Sequence, residues 1–329
     1  MRAKRLLPAL LLPLAACGGS PTGPSVTPPG DLDTVVLVLF YDENGNGQAE
    51  PNESVRLPGV GVSIGGRGAV SGPDGHFTVG DVPAGVRSAT LLADSLPAYW
   101  MPGAAPSVTV PTPGGFTLSL GATLPIGANR PNVYMAFGDS ITLGDGSSSH
   151  SGYRGELAAE LRAHFGRAEL VNEGATGTRS DAGAARLPGT LSRVRPAYAL
   201  IVYGTNDWNN AGCRDVPNCF TIRSLESMIL TARGASSVPV VATLIPANPA
   251  YTDRMAGERN NWIKATNDAI RGLVAQERAV LADPWSVFMR EAGDNLPSLF
   301  SDHVHPNDRG YSLMAGEFTR AITAPSRQR

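Results

Sequence analysis

Five short apolar runs, at 133–137, 169–172, 198–203, 239–244 and 279–282, alternate with longer stretches whose apolar residues recur every three or four positions. The short runs predict strands, and the stretches at 153–165, 180–193, 221–234, 256–276 and 308–323 predict helices. Asn307, just after Pro306, is the expected N-cap of the last helix. Strand–helix alternation of this kind predicts an α/β fold in which the strands run parallel. Right-handed crossovers would place helices on both faces, giving a three-layer sandwich with a five-stranded parallel sheet and every strand C-terminus at one edge.

Upstream of residue 132 the pattern changes. Runs at 34–41, 59–64, 76–79, 88–92 and 116–120 are divided by Gly and Pro, which predicts a small all-β sandwich over 33–120. The segment 121–131, GATLPIGANRP, is the expected linker to a second domain at 132–329. Residues 17–32 are rich in Pro, Gly, Ser and Thr without apolar periodicity, and they predict a flexible tether. Residues 1–16 carry Arg2, Lys4 and Arg5 ahead of a short apolar stretch, the pattern of a signal peptide and too short to span a bilayer.

Composition narrows the function. With 42% hydrophobic residues over 329 positions, the chain is neither disordered nor a many-span membrane protein. A formal charge of −2 with scattered Lys and Arg leaves no footprint for nucleic acid. Loss of residues 1–16 would leave 24 cations against 29 anions, a charge of −5. An export signal implies an oxidising compartment, where the close pair Cys213 and Cys219 is expected to form a disulfide.

Chemistry concentrates where the parallel strands end. After the first comes Gly138-Asp139-Ser140, after the second Asn172-Glu173-Gly174, after the third Gly204-Thr205-Asn206-Asp207, and before the last helix Asp302-His303-Val304-His305-Pro306. In open α/β sheets ligands bind beyond the strand C-termini, so these segments are expected to converge. A serine hydroxyl becomes a nucleophile when an imidazole takes its proton, and a carboxylate on the other ring nitrogen holds the tautomer. Ser140 is the expected nucleophile, His305 the base and Asp302 its orienting carboxylate, with His303 expected to point elsewhere. The backbone N–H groups of Ser140 and Gly174 and the side-chain amide of Asn206 are the expected oxyanion donors. Asp139 and Asp207 are expected to brace loops. Tyr203 is expected in the core, and Trp208 is placed to line a substrate subsite.

Three resemblances extend this reading. The blocks holding Ser140, Gly174, Asn206 and His305, in that order, resemble the SGNH hydrolases, also called GDSL esterases. The resemblance spans 132–323 and implies a flavodoxin-like fold, ester hydrolysis and no cofactor for catalysis. Small residues at Gly144, Gly146 and 147–149 argue against a long apolar tunnel. Members with a last block like this one include polysaccharide deacetylases, so an acetylated cell-surface or extracellular glycan is the expected substrate. A lysophospholipase or thioesterase is the same-fold alternative, and a surface binding protein with an inactive hydrolase domain is the other-class rival. Leu14-Ala15-Ala16-Cys17 resembles the lipobox of bacterial lipoproteins, which implies lipidation of Cys17 and a membrane anchor at the outer membrane or cell surface. Finally, Asp42, Asn44, Asn46, Gly47 and Glu53 fit the spacing D-x-[DN]-x-[DN]-G-x5-E, with Gln48 offering its carbonyl. With its neighbouring turns the segment resembles calcium-binding B-type and carboxypeptidase-regulatory-like repeats, and a structural calcium is expected there.

Overall fold

The computed structural model describes residues 31–214 and 219–326. The expected signal peptide, Cys17 and nearly all of the expected tether lie outside them. Strands β9 (Arg130–Gly138), β10 (Glu169–Gly174), β11 (Pro196–Val202), β12 (Val238–Ala242) and β13 (Val280–Ala282) form one sheet in the order β10-β9-β11-β12-β13. Every neighbouring pair is parallel. All seven residues of β11 are buried, as both faces of a parallel sheet require.

The period of two along β9 sorts its side chains between two cores. Tyr134 and Ala136 join one cluster, with Leu157 and Leu161 of α2 (Arg154–Phe165) and Met314 and Phe318 of α8 (Asp308–Thr323). Val133, Met135 and Phe137 join the other, with Leu187 of α3 (Ser180–Val194), Met228 of α5 (Thr221–Gly234) and Ile263 of α6 (Ala256–Gln276). Helices therefore cover both faces, as the alternation predicts. Two one-turn helices, α1 (Ser140–Leu143) and α4 (Ala211–Arg214), follow β9 and β11, and α7 (Pro284–Ala292) follows β13. The hydrophobic pattern does not single out α7, which buries only Pro284 and Phe288.

The N-terminal region is mostly β. Strands β1 (Leu32–Tyr41), β4 (His76–Pro83), β6 (Met101–Pro102) and β8 (Leu118–Thr123) form one four-stranded sheet, in the order β4-β1-β8-β6. Strands β2 (Gly61–Ile64), β3 (Arg67–Val70), β5 (Gly85–Leu91) and β7 (Ser107–Val110) form the other, in the order β3-β2-β5-β7. Strands β3, β6 and β7 are too short to stand out in the sequence. Leu37 and Leu39 share a cluster with Val62, Ile64 and Val108 of the second sheet.

Two expected boundaries move. Leu32 opens β1 rather than closing the tether. The expected linker begins inside β8 and buries Leu124 and Ile126, because these two apolar side chains reach the core shared with Tyr134 and Tyr198. Trp100 closes that junction, with Nε1 donating to the Tyr198 hydroxyl at 2.9 Å and its ring between Tyr41 and Phe165. Further contacts among the described residues fall where helices end and parallel strands begin: Arg56 N with Phe165 O, the Tyr99 hydroxyl with Arg278 O, and Ser326 N with Leu96 O. The β region thus covers the edge opposite the strand C-termini.

Candidate active site

Ser140 opens α1 directly beyond β9, where the chain must leave the sheet. Asp139 caps this turn by accepting the Ile141 N–H at 2.9 Å. The Ser140 N–H, first in its helix, has no protein acceptor among the described hydrogen bonds. Gly174 lies beside it for steric reasons, since a Cβ there would meet the backbone nitrogen of Leu143 at 2.4 Å. Only glycine lets β10 end flush against α1.

His305 sits on a tight turn after β13 and α7. The Asp302 carboxylate builds the turn: its Oδ1 accepts the N–H groups of Val304 and His305 at 2.8 and 2.7 Å. Its Oδ2 lies 2.7 Å from His305 Nδ1, and His305 Nε2 lies 2.9 Å from Ser140 Oγ. The serine is buried and the imidazole nearly so. Burial pushes the Asp302 carboxyl up, but its hydrogen bonds from the His305 ring and the two backbone N–H groups outweigh that and hold it below the usual carboxylate range. It is therefore an anion at neutral pH, able to hold a proton on Nδ1 and leave Nε2 as the acceptor.

The remaining expected residues converge with less freedom. The Gly174 N–H donates to Asn172 Oδ1 at 3.0 Å. Both amide hydrogens of Asn206 have acceptors, Asp139 Oδ2 and Thr178 O, each at 3.1 Å. Asp139 is fully buried, and that burial raises its carboxyl to about 7 despite the Ile141 N–H and nearby His305. Asp207 is a brace, accepting the N–H and hydroxyl of Ser180 and the Thr221 hydroxyl. Tyr203 lies in the core, as expected. Trp208 is buried against Trp262 and lines a 720 Å³ cavity with Arg214 and Glu258. Cys213 and Cys219 are joined by a disulfide close by.

His303 corrects an expectation. Its Nδ1 lies 3.8 Å from Asp302 Oδ1 and its ring is edge-on to that of His305, because the turn is too tight to send it away. Burial lowers its pKa, so it adds little positive charge beside the site at neutral pH.

Three participants escape a reading by motif. Asn248, buried after β12, donates from Nδ2 to Asp302 O at 3.0 Å, and its own N–H donates to His303 O. Arg259 is buried on α6 and donates to Thr205 O at 2.7 Å, one residue before Asn206. Burial lowers its pKa to about 10, so it remains a cation, close enough to act on Asp139 and Asp302. Arg186 on α3 reaches the ends of β9 and β10. For both arginines the available signal is a charge interrupting the buried stripe of an amphipathic helix.

The loop at 42–53 is the other expected site. Asp42 accepts the N–H groups of Gly45, Asn46 and Gly47, Asn44 Oδ1 accepts Asn46 N, and Asn46 Oδ1 accepts Gln48 N. The buried Glu53 accepts the N–H groups of Glu43 and Glu50. Two carboxylates, two amide oxygens and a carbonyl make an oxygen donor set whose chemistry suits calcium. Among the described residues, no group of three or more His, Cys, Asp or Glu is assembled as metal ligands.

A hydroxyl, an imidazole and a carboxylate in line, at the C-terminal edge of a parallel sheet, define a hydrolase of carboxylic esters. Its family follows from residues 136–313, which match the GDSL-like Lipase/Acylhydrolase family, and the chain belongs to that family. It is 28% identical over 172 residues to Esterase TesA of Pseudomonas aeruginosa, covering 52% of this chain and 78% of the relative. It is 26% identical over 181 residues to Thioesterase 1/protease 1/lysophospholipase L1 of Escherichia coli K12, covering 55% and 78%. Among solved structures, a lipase/acylhydrolase from Enterococcus faecalis aligns with a TM-score of 0.49 at 21% identity, over 58% of this chain and 95% of that one. An acetyl xylan esterase variant from Geobacillus stearothermophilus aligns with a TM-score of 0.47 at 20% identity, over 59% and 95%.

Proposed function

We propose that this chain is a serine esterase working through an acyl-enzyme, with Ser140 as nucleophile, His305 as base and Asp302 as orienter. The observation that carries the proposal is the relay of 2.9 Å from Ser140 Oγ to His305 Nε2 and 2.7 Å from Nδ1 to Asp302 Oδ2. Ser140 Oγ bonds the ester carbonyl carbon while its proton passes to His305 Nε2. The oxyanion takes the Ser140 N–H, and displaces Asn172 Oδ1 from Gly174 and one acceptor from the Asn206 amide. Collapse expels the alcohol, which takes the proton from His305. Water, deprotonated by the same nitrogen, then attacks the acyl-enzyme, and the acid leaves as Oγ recovers its proton.

For the substrate we propose an acetylated glycan at or outside the cell surface. Support comes from the small residues beside the site: at Gly146 (φ 91°) a Cβ would meet Pro306 O at 2.6 Å and the His305 Cβ at 2.9 Å. The loop therefore packs tight on the Pro306 carbonyl and the His305 Cβ. A lysophospholipase or thioesterase reading is favoured by one observation, the similarity to the thioesterase and lysophospholipase of Escherichia coli. A p-nitrophenyl ester series separates them: acetate should be cleaved faster than octanoate, and the reverse order would select the lipid reading. Ser140→Ala should abolish turnover and labelling by a fluorophosphonate; retained turnover would refute the nucleophile.

Domain boundaries and cellular placement complete the proposal. We read a signal peptide at 1–16, a lipid on Cys17 and a tether to the β region, which together would anchor the exported enzyme at the outer membrane or cell surface. Mass spectrometry of the purified N-terminal peptide tests this, and an unmodified Cys17 in material from the native host would reject it. The loop at 42–53 we read as a structural calcium site.

A further inference from the structure

One guanidinium reaches the ends of the three strands that lead into Ser140, Gly174 and Asn206. Arg186 Nη2 lies within hydrogen-bonding distance of three acceptors that its two N–H groups share, Gly138 O at 3.1 Å, Glu173 O, and the Tyr203 hydroxyl at 2.9 Å, and its Nε donates to the same hydroxyl at 3.1 Å. Gly138 ends β9 two residues before Ser140. Glu173 lies on β10, and its carbonyl belongs to the peptide whose N–H is that of Gly174. Tyr203 follows β11, three residues before Asn206. The guanidinium lies 4.1 Å from the centroid of the Phe137 ring, and Nη1 lies 3.8 Å from a Glu173 carboxylate oxygen. Gly183, one turn earlier on α3, makes room for this: a Cβ there would stand 2.7 Å from the Tyr203 ring.

The placement is specific to the end of the ladder. Gly138 and Gly174 are the last registered pair of β9 and β10, and past them one backbone bond, Ala175 N–H to Gly138 O at 2.9 Å, closes the ladder. A planar, five-donor cation can hold several carbonyls at fixed angles, which a lysine ammonium on its flexible stem does not. A hydrogen bond to the Glu173 carbonyl also polarises its peptide, strengthening the Gly174 N–H as a donor.

We infer that Arg186 is a positioning residue for acyl transfer, fixing the three strand ends so that the Ser140 and Gly174 N–H groups and the Asn206 amide keep the spacing an oxyanion needs. The inference rests on Ser140 being the nucleophile.

The test is Arg186→Lys in the full chain, with fluorophosphonate titration counting the competent Ser140. Turnover of p-nitrophenyl acetate per labelled site should fall about 10- to 100-fold, the penalty for a misplaced catalytic group. KM should stay within about 2-fold, since the donors act in the transition state. A boronic acid, whose Ser140 adduct carries a tetrahedral anion, should lose affinity in step with kcat. Wild-type kcat per labelled site, or a loss confined to KM or to the melting temperature, overturns the inference. Should the lysine variant not fold, Tyr203→Phe decides alone: it keeps the ring, removes the hydroxyl that orients the guanidinium, and should lower kcat severalfold with KM unchanged. If Ser140→Ala keeps full turnover, the assignment beneath the inference falls and the inference with it. That failure is distinguishable, because an error about Arg186 alone leaves Ser140 labelling and the Ser140→Ala loss intact.

Discussion

Asp139 and Asp302 are two carboxyls on either side of one nucleophile, and their surroundings move them in opposite directions. Burial raises Asp139 to about 7, whereas hydrogen bonds from the His305 turn lower Asp302. For Asp139 the folded protein holds a proton that the unfolded chain releases. Its contribution to stability is fully present below the unfolded value near 3.8 and is lost as pH rises through about 7. For Asp302 the sign reverses: its contribution is present above the ordinary carboxyl range and is lost as pH falls through its depressed value. Asp207, Arg259 and His305 also face Asp139, so the clean comparison is a difference between proteins. Urea midpoints measured at pH 5 and pH 8 should fall with pH less steeply in Asp139→Asn than in the wild type. Equal slopes would show that this buried carboxyl does not titrate as its surroundings dictate.

The last helix shows how an element carries a site. Asn307 caps α8 by accepting the Gly310 N–H, and its own amide donates to Ser298 O at 2.8 Å. One side chain thus joins the helix start to the segment before the Asp302–His305 turn. Asn307→Ala should cost about 1 kcal/mol for the cap, within the usual range for such a loss, and more for the second bond. An unchanged urea midpoint would deny the cap its role. This cap was legible because its signal is local, an Asn after a Pro ahead of an amphipathic run. The five parallel strands were legible for a related reason, since burial on both faces leaves β11 uniformly apolar. Strands β3, β6 and β7 were not, being two to four residues long and defined by their partners. The serine, imidazole and carboxylate could be read from strand ends and spacing, but Asn248, Arg186 and Arg259 act through backbone carbonyls far along the chain. No periodicity or motif encodes a partner of that kind, and only the folded arrangement shows it.

Across the whole molecule, the β region and the parallel sheet share one core through Tyr41, Trp100, Phe165 and Tyr198. Such a junction predicts a single cooperative unfolding step rather than two. Calcium on the 42–53 loop should then stabilise the hydrolase half as well. Saturation at 100 times Kd would add about 2.7 kcal/mol, a rise of several degrees in the one transition, and Asp42→Asn should remove the rise. Equal melting temperatures in calcium and in chelator would reject the site. The same junction has a consequence for access. Because the β region sits where the parallel strands begin, none of these junction contacts falls at the edge that carries Ser140 and His305. For the glycan proposed above, approach to Ser140 would then be governed by the loops of the hydrolase half and not by the β region.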